Sequence, residues 1–307
     1  MFRLAHLSDV HLGPLPPVPW RQLVSKRVTG WLNWHRNRAG AMGSATLDTV
    51  TADMLAHAPD HIAVTGDMTN LALPPEIARA SEWLGDLGPR ESVSVIPGNH
   101  DAYVPGALDV ATRAWAANMT GERAGGDYPY LRRVGPLAIV GCSTAEATLP
   151  FRATGPFRAD QAERLAELLR NAGEESLFRV VLIHHPPIEG AAKWMKRMLG
   201  IGRFERAVAR AGAELVLHGH THLPTRYGLA RPHEGHLSVP RPLPAPVPVI
   251  GVSAAGQGPS GHRPAGGFNL FEVEGEPGAW RCRLTRHAIG ADGAVKETER
   301  CMLIGDD

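Results

Sequence analysis

The sequence predicts a layered α/β fold. Short runs rich in valine, isoleucine and leucine recur between residues 2 and 217, each bounded by glycine, proline or polar residues, which is typical of buried strands. Stretches with apolar residues at helical spacing lie between these runs. Each of the strands also ends in a cluster of aspartate, asparagine or histidine. Because ligands of open α/β sheets lie beyond the carboxyl ends of the strands, we expect the clusters to converge on one site.

Five strands are predicted to lead into polar clusters. They are residues 2–7 before Ser8-Asp9-Val10-His11, 61–65 before Gly66-Asp67, 93–96 before Pro97-Gly98-Asn99-His100-Asp101, 180–183 before His184-His185, and 215–217 before His218-Gly219-His220-Thr221-His222. Three helices are predicted between them. Their apolar positions are Leu47, Val50, Met54 and Leu55 after a Ser44 cap, Ile77, Ala80 and Leu84 after Pro74-Pro75, and Leu165, Leu168 and Leu169.

The chain changes character after Leu223. Prolines alternate with other residues from Pro240 to Pro248, which predicts an extended loop. Residues 249–253, 268–273 and 280–286 then read as strands between glycine-rich turns. None of them brings a separate large core, so we interpret them as closing antiparallel strands. The expected organisation is a single domain over residues 1–307, with a motif core at 1–223 and closing elements at 224–307.

The net charge is close to zero, because 32 Lys and Arg oppose 31 Asp and Glu, for a formal charge of +1. This balance makes a nucleic-acid partner an unfavoured interpretation. The charge is nevertheless unevenly distributed. Residues 10–47 and 190–204 contain no acid but nine basic residues, with four tryptophans among them; the basic residues are Arg21, Lys26, Arg27, Arg36, Arg38, Lys193, Lys196, Arg197 and Arg203.

Both basic segments follow polar clusters and are therefore expected to rim the site. The alternative is that they are solvated loops whose charges balance nearby acids. In the first interpretation Arg21, Arg27, Lys193 and Arg197 are candidate contacts for an anionic substrate. The aromatic and aliphatic residues would then take up an apolar part of the substrate or lie on an anionic membrane surface.

The expected location is the cytoplasm, in solution or peripheral to the inner face of the membrane. Cys142, Cys282 and Cys301 are odd in number and lack C-x-x-C spacing, which is typical of packed thiols in a reducing compartment. The first residues turn polar too soon for a secretory signal, and no apolar run approaches the roughly 20 residues of a membrane span.

The first two polar clusters have the residues and spacing of a metal site. Asp9 and His11 are two apart in chain that we expect to be extended, so both side chains can reach one ion. Asp67 follows Gly66, where glycine permits a sharp turn, and its two carboxylate oxygens can bridge two ions.

The remaining clusters add further metal ligands. Asn99 offers an amide oxygen beside the His100 nitrogen. His184 leaves a strand, and His220 and His222 can supply one nitrogen to each ion. Each residue alone is more often a packed or surface side chain, but their recurrence at five strand ends predicts a metal centre.

In this order the clusters resemble the calcineurin-like metallophosphoesterases, whose motifs are D-x-H, GD, GNH followed by Asp or Glu, H, and GHxH. The resemblance covers residues 1 to about 223, and all five motifs are present. It implies a four-layer α+β arrangement in which two mixed β-sheets pack face to face between outer helices. The late glycine-rich strands would then belong to the second sheet.

The resemblance also implies roles for individual residues. The first metal would be bound by Asp9, His11, Asp67 and His222, and the second by Asp67, Asn99, His184 and His220. His100 is not a ligand in this family; it would contact the substrate phosphate and stabilise or protonate the leaving oxygen. Asp101 is expected to orient His100.

The implied cofactors are two divalent metal ions, and the implied reaction is hydrolysis of a phosphoester, above all a phosphodiester, by a hydroxide that bridges them. Nitrogen and oxygen ligands without thiolate suit Mn, Fe, Co or Zn better than Mg or Ca, and we expect Mn first. His185 and His218 adjoin the ligand histidines and remain alternative ligands. The other histidines match no motif, although His6 or His61 could support the ligands; they are His6, His35, His57, His61, His233, His236, His262 and His287.

Several substrate classes remain open. Cyclic nucleotides and small glycerol-type phosphodiesters suit the GNH motif, whereas lipid-linked phosphates such as UDP-diacylglucosamine suit the two basic segments. One major branch of that lipid enzyme family has Arg where His100 stands, which argues against that branch. DNA exonucleases of the family usually carry a capping domain, for which the chain after residue 223 is too short. A non-catalytic scaffold would be expected to have lost ligands, and here all are present.

Overall fold

Two six-stranded mixed sheets form the centre of the computed structural model, which describes residues 1–38, 40, 42–122, 128–229, 246–259 and 263–306. Its strands are β1 Phe2–Leu7, β2 His61–Val64, β3 Val93–Val95, β4 Tyr130–Val134, β5 Leu137–Gly141, β6 Gly155–Pro156, β7 Phe178–Leu182, β8 Met198–Leu199, β9 Leu215–His218, β10 Arg226–Leu229, β11 Val247–Gly251, β12 Gly267–Glu274, β13 Arg281–Ile289 and β14 Val295–Ile304. Its α-helices are α1 Trp20–Leu23, α2 Arg27–Asn33, α3 Ser44–Ala56, α4 Pro74–Asp86, α5 Ala107–Ala114, α6 Ala159–Glu174 and α7 Ile201–Ala211.

The strand order is β14-β13-β12-β1-β2-β3 in the first sheet and β10-β11-β9-β7-β5-β4 in the second. Strands β1, β2 and β3 run parallel, as do β5, β7, β9 and β11. Consequently β1, β2 and β3 deliver their polar clusters to one edge of the first sheet, and β7 and β9 deliver theirs to one edge of the second.

Three apolar layers hold the sheets and helices together. Side chains of both sheets, such as Leu4, Val180 and Phe271, fill the layer between the sheets. Helices α3, α4 and α5 cover the outer face of the first sheet, and α6 and α7 cover that of the second. Full burial of one such side chain contributes about 1.5–3 kcal/mol, so the stacked layers supply the main stabilisation. The predicted arrangement of two packed sheets between outer helices is therefore confirmed.

The late strands differ from the prediction. Strand β11 lies in the second sheet but runs parallel to β9, whereas β12, β13 and β14 extend the first sheet as antiparallel neighbours of β1. The assignment of all of them to the second sheet was wrong. The physical reason is that the edge of β1 opposite β2 needs a partner, and β12 supplies it while placing Phe271 and Val273 between the sheets.

Two local predictions also need correction. Helix α3 begins at Ser44 itself, with Gly43 extended before it and no side-chain cap, so Ser44 is not a capping residue. Of the proline-rich run, residues 240–245 lie outside the described residues, but Pro248 belongs to β11. It is tolerated there because it pairs with Gly228 of β10, while pairing with β9 begins at Val249.

Among the residues that the structure describes, no helix combines the length and the apolar character needed to cross a bilayer.

Candidate metal centre

Backbone hydrogen bonds between neighbouring loops align the polar clusters. The amide of Asp9 donates to Gly66 O and that of His11 donates to Asp67 O, each at 2.9 Å. In the second sheet, the amide of Gly219 donates to the carbonyl of His184 at 3.1 Å. The loops that follow paired strands are therefore fixed to each other before any side chain is considered.

The backbone of these loops is strained where it carries the predicted ligands. Nine non-glycine residues in the described part of the chain have positive φ angles, and five of them are predicted ligands: Asp9, His11, Asp67, His220 and His222. Non-glycine residues adopt this left-handed conformation at a free-energy cost, and such residues concentrate at functional sites. The strain therefore marks the loop edge as a functional site.

The motif glycines permit a close approach of loops. A Cβ atom at Gly98 would lie 2.2 Å from Asp67 Oδ1, and one at Gly219 would lie 1.8 Å from Ser8 Oγ. Neither position has room for a side chain. Gly98 is thus required for the loops after β2 and β3 to meet, and Gly219 for a loop of the second sheet to reach the first.

The structure brings all seven predicted metal ligands together. Ligand atoms of Asp9, His11 and His222 lie within 4.8 Å of one another, as do those of Asp67, His184 and His220. Asp67 lies between the groups: its Oδ2 is 3.8 Å from His11 Nε2 and 3.4 Å from His184 Nε2. Asn99 Oδ1 lies 3.3 Å from the same nitrogen of His184. A central carboxylate between two groups of ligands is suited to two cations.

Backbone carbonyls orient three of the imidazole rings. His11 Nδ1 donates to Thr69 O at 3.0 Å and His184 Nδ1 donates to Thr65 O at 2.7 Å. His220 Nε2 donates to Lys196 O at 2.7 Å. When such a ring is neutral its other nitrogen carries no proton and can bind a cation, and carbonyl contacts of this kind are usual for metal-bound histidines.

The electrostatics of the site fit divalent cations. Asp9 is fully buried, and its Oδ1 accepts no hydrogen bond from the described residues, although His222 Nε2 lies 3.2 Å away. Burial opposes the charge of Asp67, yet His184 and His100 hold the pKa of this carboxyl well below its usual range. Burial likewise opposes the charge of His184, but Asp67 outweighs it and raises the pKa of His184 to about 9. A cation bound beside Asp67 would replace the proton that this carboxylate holds on His184.

A family model described as calcineurin-like phosphoesterase matches residues 2–224. The chain belongs to the calcineurin-like phosphoesterase family. Family membership supports metal-dependent hydrolysis of phosphoesters and implies a dinuclear divalent metal centre, for which the groups around Asp67 provide the residues.

Solved structures agree with the fold of this family. A dimetal phosphatase from Danio rerio is 12% identical, with a TM-score of 0.62 and 98% of each chain covered. A purple acid phosphatase from yellow lupin seeds is 14% identical, with a TM-score of 0.55; the match covers 97% of this chain and 53% of the lupin chain. At these identities the likeness is one of fold. No curated protein matches the sequence.

The ring of His100 is half-buried at the edge of this centre. Its Nδ1 donates to Asn70 O at 2.6 Å, and the ring stacks on Tyr103 with centroids 5.2 Å apart. The ring lies edge-on to His11, at 4.7 Å. With the proton of Nδ1 given to Asn70, Nε2 is the ring atom available for chemistry, in agreement with a role beside the metals.

Asp101 has a different set of partners from the predicted one. Its Oδ2 accepts from the amides of Asp67 and Gly98, each at 2.9 Å, and its Oδ1 accepts from the amide and hydroxyl of Thr69, each at 3.0 Å. The interpretation that Asp101 orients the His100 ring is therefore corrected: Asn70 O orients the ring, and Asp101 ties the loops that carry Asp67 and Asn99. Burial, and then the charge of Asp67, raise the pKa of Asp101 to about 7.

A cavity of about 370 Å³ opens beside the ligands. Lys193, Lys196 and Arg263 are among its lining residues, together with Asn99, His100 and His220. Arg263 Nη1 also donates to His222 Nδ1 at 3.0 Å. The cavity thus combines the predicted ligands with three cationic side chains. Of these three, only Lys193 is among the predicted substrate contacts.

The other three predicted substrate contacts have protein partners. Arg27 donates from Nε to Leu71 O at 2.9 Å and from Nη2 to Ala72 O at 2.8 Å, which fixes helix α2 to the loop before α4. The Arg21 guanidinium lies over the ring of Trp20, and Arg197 lies over the ring of Trp194 and pairs with Glu189. Their contact with substrate stays a prediction.

The alternative histidines are held by protein groups. His185 contacts Thr144 Oγ1 through Nδ1 and Ala153 O through Nε2, and His218 contacts Gly219 O and Thr225 Oγ1. His6 Nε2 bonds to Thr65 Oγ1 at 2.9 Å and so supports the residue whose carbonyl orients His184. His61 bonds to Ser94 Oγ at 2.8 Å. His233, His236 and His262 lie outside the described residues.

Sequence reasoning missed several residues around the site. Glu76 is almost fully buried and accepts from the amides of Asn70, Leu71 and Leu73, so it shapes the loop whose carbonyl holds His100. An acid at the third position of a helix that begins with proline could have indicated this role. Arg263 has no comparable signal, because it belongs to none of the five motifs and lies 41 residues from His222 in the sequence.

Proposed function

We propose that this protein is a dinuclear metal-dependent phosphodiesterase. The observation that carries the proposal is the place of Asp67: its carboxylate lies between the group of Asp9, His11 and His222 and the group of His184 and His220. A carboxylate shared by two ions offsets their mutual repulsion. The mixed imidazole, carboxylate and amide ligands support manganese as the preferred ion, with iron or zinc as alternatives.

The protein groups have separable tasks in this reaction. The bound cations supply Lewis acidity, which lowers the pKa of water near the phosphate and neutralises the charge that develops on it. Lys193, Lys196 and Arg263 attract the anionic substrate into the cavity. In its imidazolium form His100 would keep the Nδ1 proton on Asn70 O and donate the second proton, at Nε2, to the leaving oxygen. Proton donation matters most for diesters of ordinary alcohols, which leave poorly as anions.

The test compares bis-p-nitrophenyl phosphate with p-nitrophenyl phosphate after loading with Mn, Fe, Co or Zn. We expect the diester to be the better substrate, about two Mn ions per chain, and loss of both turnover and this Mn in Asp67→Asn and His220→Ala. His35→Ala removes an exposed histidine outside the cavity lining and serves as the control. Unchanged turnover in Asp67→Asn would reject the proposed catalytic metal centre. The same result is expected if the protein is a non-catalytic scaffold and a contaminant supplies the activity.

We further infer that residues 1–307 act as one domain. The closing strands β12, β13 and β14 complete the first sheet, and β11 completes the parallel part of the second. Removal of residues after 223 would expose the edges of β1 and β9 and their apolar faces. A truncated chain should therefore fail to give the cooperative unfolding of the full chain in circular dichroism; a folded truncation with full metal binding would contradict the inference.

A second candidate, hydrolysis of a lipid-linked phosphate or pyrophosphate at a membrane surface, is favoured by the rim of the cavity. Twelve large hydrophobic residues are exposed in the described part of the chain, and eight of them lie in residues 20–32, 149–151 and 194–199. These three segments are joined: Lys26 Nζ donates to Thr148 Oγ1 and to Arg152 O, and the amide of Ala153 donates to Met195 O. Side chains such as Phe151, 81% exposed, suit a lipid interface beside basic residues.

This candidate places the protein in the cytoplasm, peripheral to the inner face of the membrane. Co-sedimentation with vesicles that contain anionic phospholipid should fall for the double variant Phe151→Ser and Trp194→Ser. Val110→Ser removes an exposed apolar side chain from helix α5 and is the matched control. Equal recovery of all three proteins in the supernatant would reject the membrane candidate and leave a soluble phosphodiester as the substrate.

A further inference from the structure

A second cluster of metal-ligating side chains lies between helix α3 and the first sheet. Asp53 lies in the last turn of α3, and His57, four residues later with helical backbone angles, is its C-cap, so both lie on one side of the helix end; His287 reaches them from β13. Ligand atoms of the three residues lie within 4.8 Å of one another. Strand β12 separates β13 from β1, which leads to Asp9, so the cluster is distinct from the candidate metal centre.

The distances in the cluster match those around a single small cation. Asp53 Oδ2 lies 3.6 Å from His57 Nε2 and 4.0 Å from His287 Nδ1. Metal-to-ligand bonds of about 2.1 Å place two ligand atoms about 3.4 Å apart at a tetrahedral angle and at most about 4.2 Å apart. Both separations from Asp53 Oδ2 are below this upper limit, and the one to His57 is close to the tetrahedral value.

The polar atoms of the cluster are only partly satisfied by protein groups. Asp53 Oδ2 is buried and accepts no hydrogen bond from the described residues, although it lies between two imidazoles. His287 is 9% exposed, and its Nε2 also has no hydrogen-bond partner among the described residues. Buried polar groups without partners are uncommon in folded proteins and require an explanation.

The histidine rings are held in place by their neighbours. Phe268 stacks on His287 with ring centroids 4.6 Å apart and planes inclined by 1°, and the ring of His57 lies 4.5 Å from that of His287. Glu297 lies opposite His287 in the β13–β14 register and pairs with Arg300 at 2.5 Å. The two flanking charges therefore offset each other, and the cluster keeps the negative charge of Asp53.

We propose that Asp53, His57 and His287 bind one divalent transition-metal ion, with zinc as the best match, and that this ion fastens helix α3 to the first sheet. Two imidazoles and one carboxylate are a common zinc-binding set. The side chains of Asp53 and His57 are each about one-third exposed, which leaves solvent access for the ion and for a water ligand. The site is structural and does not depend on the phosphoesterase reaction.

The test counts bound zinc by elemental analysis in the full chain after desalting from excess zinc, in wild type and in Asp67→Asn. His57→Ala, at the partly exposed C-terminal end of α3, should bind one ion fewer than its parent in both backgrounds. It should also lose part of the zinc-dependent rise in Tm, while phosphodiester hydrolysis with Mn persists. Cobalt should give a visible absorption band of tetrahedral type in Asp67→Asn that His57→Ala removes.

Two controls separate this site from the candidate metal centre. His35→Ala, another exposed histidine, should leave the zinc count unchanged, and Asp53→Asn should repeat the loss seen in His57→Ala. Equal zinc counts for parent, His57→Ala and Asp53→Asn would overturn the proposal, whatever the fate of the ions at Asp67. Failure of the proposed phosphodiesterase activity would leave the zinc count of this cluster unaffected.

Discussion

Replacement of Asp101 by asparagine should weaken metal binding without removing the chemistry of His100. The asparagine keeps the shape of the side chain but turns one acceptor oxygen into an NH₂ group that faces donors. In the less costly orientation the NH₂ group of the asparagine faces Thr69. The Thr69 hydroxyl can rotate to accept a hydrogen bond from it, but the backbone amide of Thr69 loses its acceptor. In the other orientation the amides of Asp67 and Gly98 lose theirs.

The magnitude follows from the number of lost bonds. One buried amide that loses its acceptor costs about 1–3 kcal/mol, and the remaining bonds weaken because an amide oxygen is a poorer acceptor than a carboxylate. We expect Asp101→Asn to lower the free energy of unfolding by about 2–4 kcal/mol. Since the lost bonds position the backbone of Asp67, metal affinity should fall by about 10–100-fold, as is usual for groups that orient ligands.

Two measurements decide whether Asp101 fixes the loops that carry the metal ligands or orients the ring of His100. Metal affinity is measured by competition with a chelator, and kcat is measured at saturating metal, where we expect it to stay within several-fold of wild type. Asp86→Asn, on the exposed face at the end of helix α4, is the control. A large fall in kcat with unchanged metal affinity and stability would refute the proposed role of Asp101 in fixing the metal-ligand loops. It would indicate instead that Asp101 orients His100.

Three further predictions concern proton donation, substrate attraction and acid stability. His100→Ala should keep its metal content but lose about 10²–10⁴-fold in kcat on an alkyl diester, and much less on p-nitrophenyl esters; equal losses on both would contradict proton donation. Lys193→Ala should raise KM about fivefold at low salt and less at high salt, whereas Lys296→Ala, at a remote exposed strand, should not; a salt-independent change would contradict electrostatic attraction. Burial, and then Arg132, lower the pKa of His61 to about 3. As the pH falls below about 6.5, His61 is protonated in the unfolded chain but not in the folded one, so the free energy of unfolding should fall by about 2 kcal/mol between pH 7 and 5. His61→Gln should lack this loss in urea unfolding. An equal dependence of the unfolding free energy on pH in both proteins would contradict the prediction.

The strands that lead to the site were predictable, including the edge strand β3, whereas the other edge strands, β4, β10 and β14, were not. Strands such as β2 and β9 are buried on both faces, so their sequences are continuous apolar runs with abrupt polar ends. Strand β4 and strand β14 lie at the edges and carry charged residues, including Arg132, Arg133 and Lys296, that mask the strand pattern. Local sequence cannot distinguish such edges from loops.

The candidate ligands were predictable because each lies in a short motif, but their supporting contacts depend on the tertiary fold. The carbonyl of Asn70 holds His100 from 30 residues away, and Arg263 contacts His222 across 41 residues. A backbone carbonyl carries no side-chain signal in the sequence. Contacts of this kind follow from loop geometry. The position of Asp101 next to His100 in the sequence therefore does not indicate its hydrogen-bond partners.

The candidate metal centre depends on the packing of the two sheets as much as on its ligands. Asp9 and Asp67 follow strands of the first sheet, whereas His184 and His220 follow strands of the second. Two hydrogen bonds cross between them: His184 Nδ1 donates to Thr65 O at 2.7 Å, and the amide of His220 donates to Asp9 Oδ2 at 2.9 Å.

The spacing of the metal ligands is therefore set by the apolar layer between the sheets. Interiors are close-packed, so a change of even one methylene in that layer is felt by its neighbours. Side chains such as Val180 and Leu217 lie in the layer directly before the ligand loops. A substitution there is expected to alter the distance between the two groups of ligands without touching either, so metal affinity should change together with overall stability.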